Sequence, residues 1–396
     1  MHRRDMLIGA AAATGWIALP GSRARSVAVK DSTPEADGPQ ALAMLRFVPI
    51  DIFEAADENP ILASVADLAA RTDSSGIDRP ASQDDPAFSD WIKTTNGLAM
   101  PSPFARAFTP DWLATFGWDG FQADQTLEFG QPPDNAQVYI GRFDQDAIDD
   151  AMLASDYEVV ETEGAAAAWS LSAEGDLDLD SDVGRLALGG MNNVVLMPDG
   201  VLITARTLDT ATLLAETAAG ERDSLAGNEL VQTLLEAQTT PLDSAMLLPG
   251  TSFAGIIDPT AILIDETDDD EDSSGQSALD RTADRIATQI AEQAQSGMPP
   301  ILLALAGTTG ETPVSRACYT LLMASEEDAE AAVPVIEERL ETGVSVATQE
   351  PWAELFSDWT VEAVADAPVV TVELETERPA LWFNLIFQRD TGFVAW

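Results

Sequence analysis

The chain has 396 residues and carries 68 acidic against 20 basic side chains, which gives a formal net charge of −48 and an isoelectric point of about 4.1. This charge repels nucleic acids and anionic lipid headgroups, so neither is expected as a partner. Hydrophobic residues make up 45% of the chain and include nine tryptophans, a content that excludes the weakly hydrophobic class of disordered proteins.

The first 24 residues have the pattern of an export signal. Arg3 and Arg4 precede an apolar run from residue 6 to residue 19, which as a helix would span about 21 Å, less than the ~30 Å hydrocarbon core of a bilayer. The small residues Ser22 and Ala24 predict cleavage after Ala24. This leader resembles the twin-arginine export signal. An ordinary secretory signal and an uncleaved anchor stay open as alternatives.

The leader places the mature protein outside the cytoplasm, either extracellular or in the cell envelope, with no membrane span left after cleavage. Its composition also suggests a saline environment, because only Lys30 and Lys93 are lysines and acids greatly outnumber bases. High salt screens the repulsion between carboxylates, and hydrated carboxylates keep such a protein soluble. We interpret the composition as salt adaptation.

Missing residue types exclude much of enzyme chemistry. The only histidine is His2, inside the leader, so the mature chain cannot use a histidine triad, histidine-ligated metals or an imidazole proton shuttle. The single Cys318 cannot form an internal disulfide, and the apolar alternation around it predicts a buried strand position. Glycine-rich nucleotide-binding motifs and the G-x-S-x-G motif are absent. No cofactor is expected.

The first part of the mature chain contains several recognisable elements. Residues 25–40 read as a polar linker, residues 41–49 as a strand, and residues 61–71 as a helix. Thr109 and Pro110 begin a second helix that Gly117 ends. Six aromatic residues cluster here: Phe104, Phe108, Trp112, Phe116, Trp118 and Phe121. Their helical spacing favours a packed core over a sugar-binding platform.

A regular succession of strands and helices begins near residue 137. Residues 137–143 alternate as a strand, and Asp144 caps the helix that follows. Residues 157–162 and 165–171 predict a hairpin, and residues 193–197 and 201–207 predict a second one around the turn Pro198-Asp199-Gly200. Asp209 then caps a helix that extends to residue 219.

A similar succession returns after a strongly acidic loop at residues 265–275 and an amphipathic helix that begins at residue 277. Residues 301–306 and 317–324 predict strands, and Ser325 begins a helix that Pro334 should kink or split. Residues 361–374 supply more strand. Residues 380–388 and 393–396 predict a final hairpin with Trp382, Phe383, Phe387, Phe393 and Trp396 on its faces.

These elements predict an α+β fold with two modules of mostly antiparallel sheet, each with helices on one face in the manner of ferredoxin-like units. The expected organisation is a signal peptide at residues 1–24, a linker at 25–40, a first module at 41–257, an acidic loop and connecting helix at 258–299, and a second module at 300–396.

Two acidic stretches are candidates for weak calcium binding. One consists of Asp176, Asp178, Asp180 and Asp182, and the other is the run of residues 268–272. Alternating aspartates can supply several oxygen ligands, but neither stretch has the glycine and the closing acid of an EF-hand loop. Solvated loops are the favoured interpretation. No pair of carboxylates among the 68 acids is marked by the sequence as a catalytic pair.

The sequence therefore favours an exported, acidic, non-enzymatic protein that binds or scaffolds an unknown protein or small-molecule partner. One alternative is an extracytoplasmic solute-binding protein with its ligand between the two modules. The other is a carboxylate-dependent hydrolase, which needs no histidine.

Salt adaptation makes a direct prediction. The melting temperature should rise as salt increases from about 0.1 M to about 3 M, because the Debye length falls from about 10 Å to less than 3 Å and self-repulsion is screened. Circular dichroism melts in sodium chloride measure this. A melting temperature that stays flat or falls over this range would contradict salt adaptation.

Overall fold

A twelve-stranded antiparallel sheet extends through the protein. The computed structural model describes residues 41–51, 61–130, 135–253, 297–310 and 314–395. The strands are β1 Ala63–Asp67, β2 Ala123–Phe129, β3 Ala136–Gly141, β4 Glu158–Val159, β5 Ala167–Ser170, β6 Asn193–Leu196, β7 Val201–Ala205, β8 Ser244–Pro249, β9 Leu303–Thr309, β10 Ser315–Leu322, β11 Asp358–Ala363 and β12 Val369–Thr376. Their order across the sheet is β11-β12-β10-β9-β8-β1-β2-β3-β7-β6-β5-β4. The prediction of an α+β fold with a mostly antiparallel sheet is confirmed.

Ten α-helices connect or cover the strands in the described residues. They are α1 Leu68–Ser75, α2 Phe88–Thr94, α3 Pro110–Phe116, α4 Gln145–Ala154, α5 Asp182–Ala187, α6 Leu208–Ala218, α7 Glu229–Ala237, α8 Glu326–Thr342, α9 Trp352–Leu355 and α10 Leu381–Phe387. Short 3₁₀ helices occur at Ala41–Phe47, Ser102–Phe108, Leu225–Gly227 and Gly250–Phe253.

Helices cover both faces of the sheet, because alternate residues of a strand point to opposite sides. Val138 packs in one hydrophobic cluster with α6, α7 and the 3₁₀ helix Ala41–Phe47, whereas its neighbour Tyr139 packs in another with α3, α4 and α5. A third cluster, which contains Tyr319 of β10, joins the far end of the sheet to α8, α9 and α10. The prediction of helices on only one face is therefore wrong.

On either side of the β1–β8 pair, the two halves of the sheet have the same succession of strands and helices. β1, β2 and β3 form a meander, α4 follows β3, and the later strand β7 pairs with β3. β8, β9 and β10 form the corresponding meander, α8 follows β10, and the later strand β12 pairs with β10. The antiparallel β1–β8 pair joins these two halves, and the β8–β9 pair joins the strands of the predicted first module to those of the predicted second module in one sheet.

Several local predictions are confirmed. Asp144 caps α4 through its side chain, and Ser325 caps α8 in the same way. The turn after β6 closes the predicted hairpin with β7, and β4 pairs with β5. Thr109 caps α3 with Pro110 at its first position, and Gly117 ends the helix in the left-handed conformation. These predictions depend on neighbours in the chain, which is why they hold.

Other local predictions are wrong. The apolar run at 41–49 forms the 3₁₀ helix Ala41–Phe47 rather than a strand, and residues 61–71 divide between β1 and α1 rather than forming one helix. Residues 380–388 form α10 rather than one arm of a hairpin. Thr207, not Asp209, caps α6. Pro334 lies inside α8, which continues past it as one helix, so the predicted split does not occur.

The aromatic group near residue 104 forms a core, as its spacing predicts. Trp112 and Trp118 pack edge to face with ring centroids 5.5 Å apart, and Tyr139 of β3 lies 4.9 Å from the Trp118 ring. All six of these aromatic side chains are buried: Phe104, Phe108, Trp112, Phe116, Trp118 and Phe121. Cys318 is buried in β10, also as predicted.

Some predictions concern residues outside the described ranges. These are the export signal with Arg3, Arg4 and Ala24, the acidic loop at 265–275, and the amphipathic helix that begins at residue 277. Within the described ranges, none of the helices combines the length and the apolar character needed to cross a bilayer.

Gly117 makes the close contact between α3 and α4. Its φ is +72°, and a Cβ there would lie 2.3 Å from the carbonyl oxygen of Ala147. Gly220 has a similar φ of +77° but open space around it. We expect Gly117→Ala to lower the free energy of unfolding by about 2–4 kcal/mol, and Gly220→Ala by about 1–2 kcal/mol from backbone strain alone. Urea unfolding measures both, and equal losses would contradict the close packing of the two helices.

Candidate functional site

An open groove of about 660 Å³ lies where β1 ends and α1 begins. Its walls come from the 3₁₀ helix Ala41–Phe47, from α1, from β2 and β3, and from the residue before β8. The lining residues are Ala43, Arg46, Asp67, Ala69, Ala70, Asp73, Ser74, Asp124, Gln125, Ile140 and Asp243. Four of them are carboxylates, and the rest provide one guanidinium, two neutral polar side chains and several small or apolar ones. The volume lies in the range of small-molecule sites.

Asp67 connects the strand to the helix at the floor of the groove. It is the last residue of β1 and the N-cap of α1, and its Oδ1 accepts a hydrogen bond of 2.8 Å from the backbone N–H of Ala70. Its Oδ2 accepts a hydrogen bond of 2.8 Å from Nε2 of Gln125 on β2. Both oxygens of this buried carboxylate are therefore used to fix the start of α1 against the sheet.

A buried ion pair lies directly behind this floor. Nε of Arg71, on α1, is 2.8 Å from Oδ2 of Asp243, and the two side chains are 6% and 5% exposed. The backbone N–H of Gly310, just after β9, donates to the same oxygen at 2.6 Å, and Nη1 of Arg71 donates to the carbonyl oxygen of Thr94 at 3.1 Å. The pair thus joins α1 to segments before β8 and after β9.

Burial dominates the electrostatics of this pair. Desolvation raises the pKa of Asp243, and the nearby Asp67 carboxylate adds to the increase, whereas Arg71 and the Gly310 N–H lower it by a smaller amount. The net direction means that the partners do not fully compensate the removal of this carboxylate from water. The pair is therefore expected to fix geometry more than to stabilise the fold.

A second cavity of about 350 Å³ adjoins the groove and shares Ala69, Asp73 and Asp124 with it. Nη1 of Arg79 lies 2.6 Å from Oδ1 of Asp124, and Nη2 of Arg142 lies 3.6 Å from the same oxygen. The Arg79 side chain is 14% exposed and that of Arg142 is 78% exposed. This end of the site holds two guanidinium groups around one carboxylate.

The predicted calcium ligands do not meet in a common site. Asp176, Asp178 and Asp180 lie exposed in the loop before α5, and Asp182 is the exposed first residue of that helix. Oδ1 of Asp182 pairs with Nη2 of Arg185. Across the described ranges, no group of three or more His, Cys, Asp or Glu side chains could hold a metal ion. The run 268–272 lies outside those ranges.

Cys318 borders a separate small cavity of about 150 Å³ on the face of β10 and β12. Burial raises the pKa of its thiol to about 12, with a further contribution from Glu373. The thiol therefore stays protonated at neutral pH and is a poor nucleophile.

The groove residues were not identified by sequence patterns, because their contacts are distant along the chain. Arg71 and Asp243 are 172 positions apart. The signals that could have pointed to them are local and weak: an aspartate at the end of a short apolar stretch, followed four residues later by an arginine in a chain that has few. Only the sheet topology brings these residues together.

Comparisons with known proteins provide no family. No protein-family model matches the chain, and no curated protein matches its sequence. Among solved structures, crystal form I of TP0453 matches with a TM-score of 0.38 and 8% identity, over 85% of this chain and 97% of that one. Crystal form III of TP0453 matches with a TM-score of 0.35 and 7% identity, over 86% and 98%. Similarities of this size support no assignment of fold family or function.

The buried pair can be tested by a double-mutant cycle. Arg71→Leu or Asp243→Leu alone should lower the free energy of unfolding by about 3–5 kcal/mol, because each leaves a buried charge unpaired. The double variant should lose clearly less than the sum, since it removes both charges. Urea unfolding at fixed salt provides the values.

The exposed pair Arg378–Glu350, with an N–O distance of 2.8 Å, is the matched control. Glu350→Gln should have a much smaller effect, because water solvates the partner that remains. Single variants of Arg71 and Asp243 that cost no more than this control would show that the buried pair does not organise the groove.

Proposed function

We propose that the protein is an exported, non-enzymatic binding protein whose ligand site is the groove beside α1. The proposed location, extracellular or in the cell envelope, is supported by the leader pattern and by the acidic composition of a salt-adapted chain. The proposal also includes two related modules, which the repeated strand order of the two halves supports.

One observation supports the assignment of the site: hydrogen bonds fix the carboxylates at the floor of the groove, and the volume above them is open to solvent. Asp67 and Asp243 are both buried and both bonded to neighbouring segments, and above them lies a cavity of about 660 Å³. Preorganised polar groups lower the entropic cost of binding, and small-molecule sites combine a few such groups with apolar walls. Ala69, Ala70 and Ile140 supply those walls.

The lining residues of the groove run from 43 to 243, and the last of them, Asp243, immediately precedes β8, where the second half of the sheet begins. The second half contributes the Gly310 N–H behind the floor. Because the two halves share one sheet, we propose the groove beside α1, rather than a cleft between two separate modules, as the ligand site.

Hydrolysis is a second candidate, because two buried carboxylates, Asp67 and Asp243, line the same groove and burial raises the pKa of one of them. A general acid needs an oxygen that can pass a proton to the substrate. Three of the four oxygens accept N–H donors within the protein, namely Oδ2 of Asp243 from Arg71 and Gly310, and both oxygens of Asp67. These contacts favour binding over hydrolysis.

A thermal-shift screen of sugars, amino acids, short peptides and amines tests the proposal. A true ligand at about 100 times its Kd should add about 2.7 kcal/mol to the free energy of unfolding. Chromatography of the same mixtures after incubation shows whether the ligand is intact, as binding predicts, or cleaved, as hydrolysis predicts.

Ala70→Phe should reduce or abolish the shift, because Ala70 lines the groove and a phenyl ring there obstructs the part beside α1. Ala331→Phe is the matched control, since Ala331 is exposed on α8, far along the chain from the groove. A ligand that shifts wild type and Ala70→Phe equally would place its site elsewhere, and an absence of any shift across the panel would contradict the proposed function.

A further inference from the structure

Basic residues concentrate around the two cavities, although the chain has only 20 of them against 68 acids. Arg46 lines the groove, Arg79 and Arg142 line the adjoining cavity, and Arg71 lies behind the floor. Carboxylates lie between them. The site therefore presents both signs of charge within a protein whose surface is otherwise strongly negative.

The lining of the adjoining cavity holds three carboxylates (Asp73, Asp78 and Asp124) and two guanidinium groups, and both guanidinium groups lie beside Asp124. Arg79 and Arg142 share the single carboxylate Asp124, at 2.6 Å and 3.6 Å. Nη2 of Arg79 is buried and makes no hydrogen bond with any residue in the described ranges. This Nη2 is closed to the cavity, so a ligand would contact the exposed Arg142 guanidinium and the exposed part of Arg79 instead, and a carboxylate is the acceptor that guanidinium groups bind best. This end is suited to the carboxylate of a ligand.

The wall shared by the two cavities carries the opposite charge. Asp73 lines both of them and is exposed on α1, and it forms no ion pair with a residue of the described part of the chain. A carboxylate in this position can bind the ammonium group of a ligand by a charge-assisted hydrogen bond. The cavity of about 350 Å³ thus offers a partner for each charge of a zwitterion.

The larger groove continues from this point along apolar surface. Ala69 borders both cavities, and Ala70 and Ile140 extend the apolar wall into the groove of about 660 Å³. An apolar side chain attached to the charged head would gain from burial along this wall.

We propose, on the basis of the function proposed above, that the ligand is a zwitterion: an α-amino acid or a short peptide with an apolar side chain. Its carboxylate binds between Arg79 and Arg142, its ammonium group binds Asp73, and its side chain extends into the groove. A simple cation or a simple anion leaves one of these charged groups without its partner.

Calorimetric titration of the full mature chain tests this with leucine and the dipeptide alanylleucine. Each is compared with its N-acetyl form, which lacks the ammonium group, and with its C-terminal amide, which lacks the carboxylate. At least one parent compound should bind, and both of its blocked forms should bind at least tenfold more weakly, because each loses one charge-assisted contact.

Variants assign each contact to a residue. Arg79→Gln or Arg142→Gln should remove the preference for the free carboxylate, so that parent and amide bind alike. Asp73→Asn should remove the preference for the free ammonium group. Arg142 and Asp73 are exposed, so these two variants are expected to fold even if Arg79→Gln does not. Asp209→Asn, at an exposed acid on α6, is the control that should leave both preferences unchanged.

The outcomes separate this inference from the proposed function. If a blocked form binds as tightly as its parent, or if only sugars or amines shift the melting temperature, the groove is a ligand site but its ligand is not a zwitterion. If no compound of either panel binds, the proposed function itself fails. Preferences that survive in Arg142→Gln and Asp73→Asn would also overturn the inference.

Discussion

The buried ion pair between Arg71 and Asp243 connects the parts of the protein that meet at the centre of the sheet. Arg71 lies on the helix that follows β1, and Asp243 immediately precedes β8, so the pair lies beside the antiparallel β1–β8 pairing that unites the two halves. The N–H of Gly310 brings in the end of β9, and the carbonyl of Thr94 brings in the end of α2. A Cβ on Gly310 would lie 2.3 Å from Nε of Arg71, so only glycine fits this position without a shift.

This arrangement explains why the groove and the centre of the fold coincide. Hydrophobic contacts hold both faces of the sheet, but they have little directional preference. Hydrogen bonds to a charged group do have direction, and here they set the position of α1 relative to β2 and β8. The raised pKa of Asp243 shows that this arrangement has an electrostatic cost, which the large cores on either side can offset. The same bonds hold the wall of the groove in place.

The sequence predicts those elements that depend on residues close together in the chain, and it does not predict those that depend on contacts between residues far apart in the chain. Thr109, Pro110 and Gly117 define α3 because a cap, a fixed φ and a left-handed glycine act within a few residues. Residues 381–387 are apolar on nearly every side, so periodicity does not distinguish a helix from a buried strand, and packing against β9 and β10 decides the outcome. The groove is the extreme case, since each of its carboxylates looks like any of the other acids until the sheet brings Asp243 to Arg71.

Because the chain has only 20 basic residues against 68 acids, the positions of its arginines are informative. Most carboxylates of a chain with a net charge of −48 are solvated, and an arginine placed on the surface changes the total repulsion by little. Arg222 and Arg378 are used in this way, in exposed pairs with Glu216 and Glu350. Three arginines near α1 are different, because Arg46, Arg79 and Arg142 also line open cavities. A strongly negative exterior attracts cations and repels anions. A zwitterionic ligand of the kind proposed has no net charge, so it would avoid both effects and approach without an electrostatic barrier even at low salt.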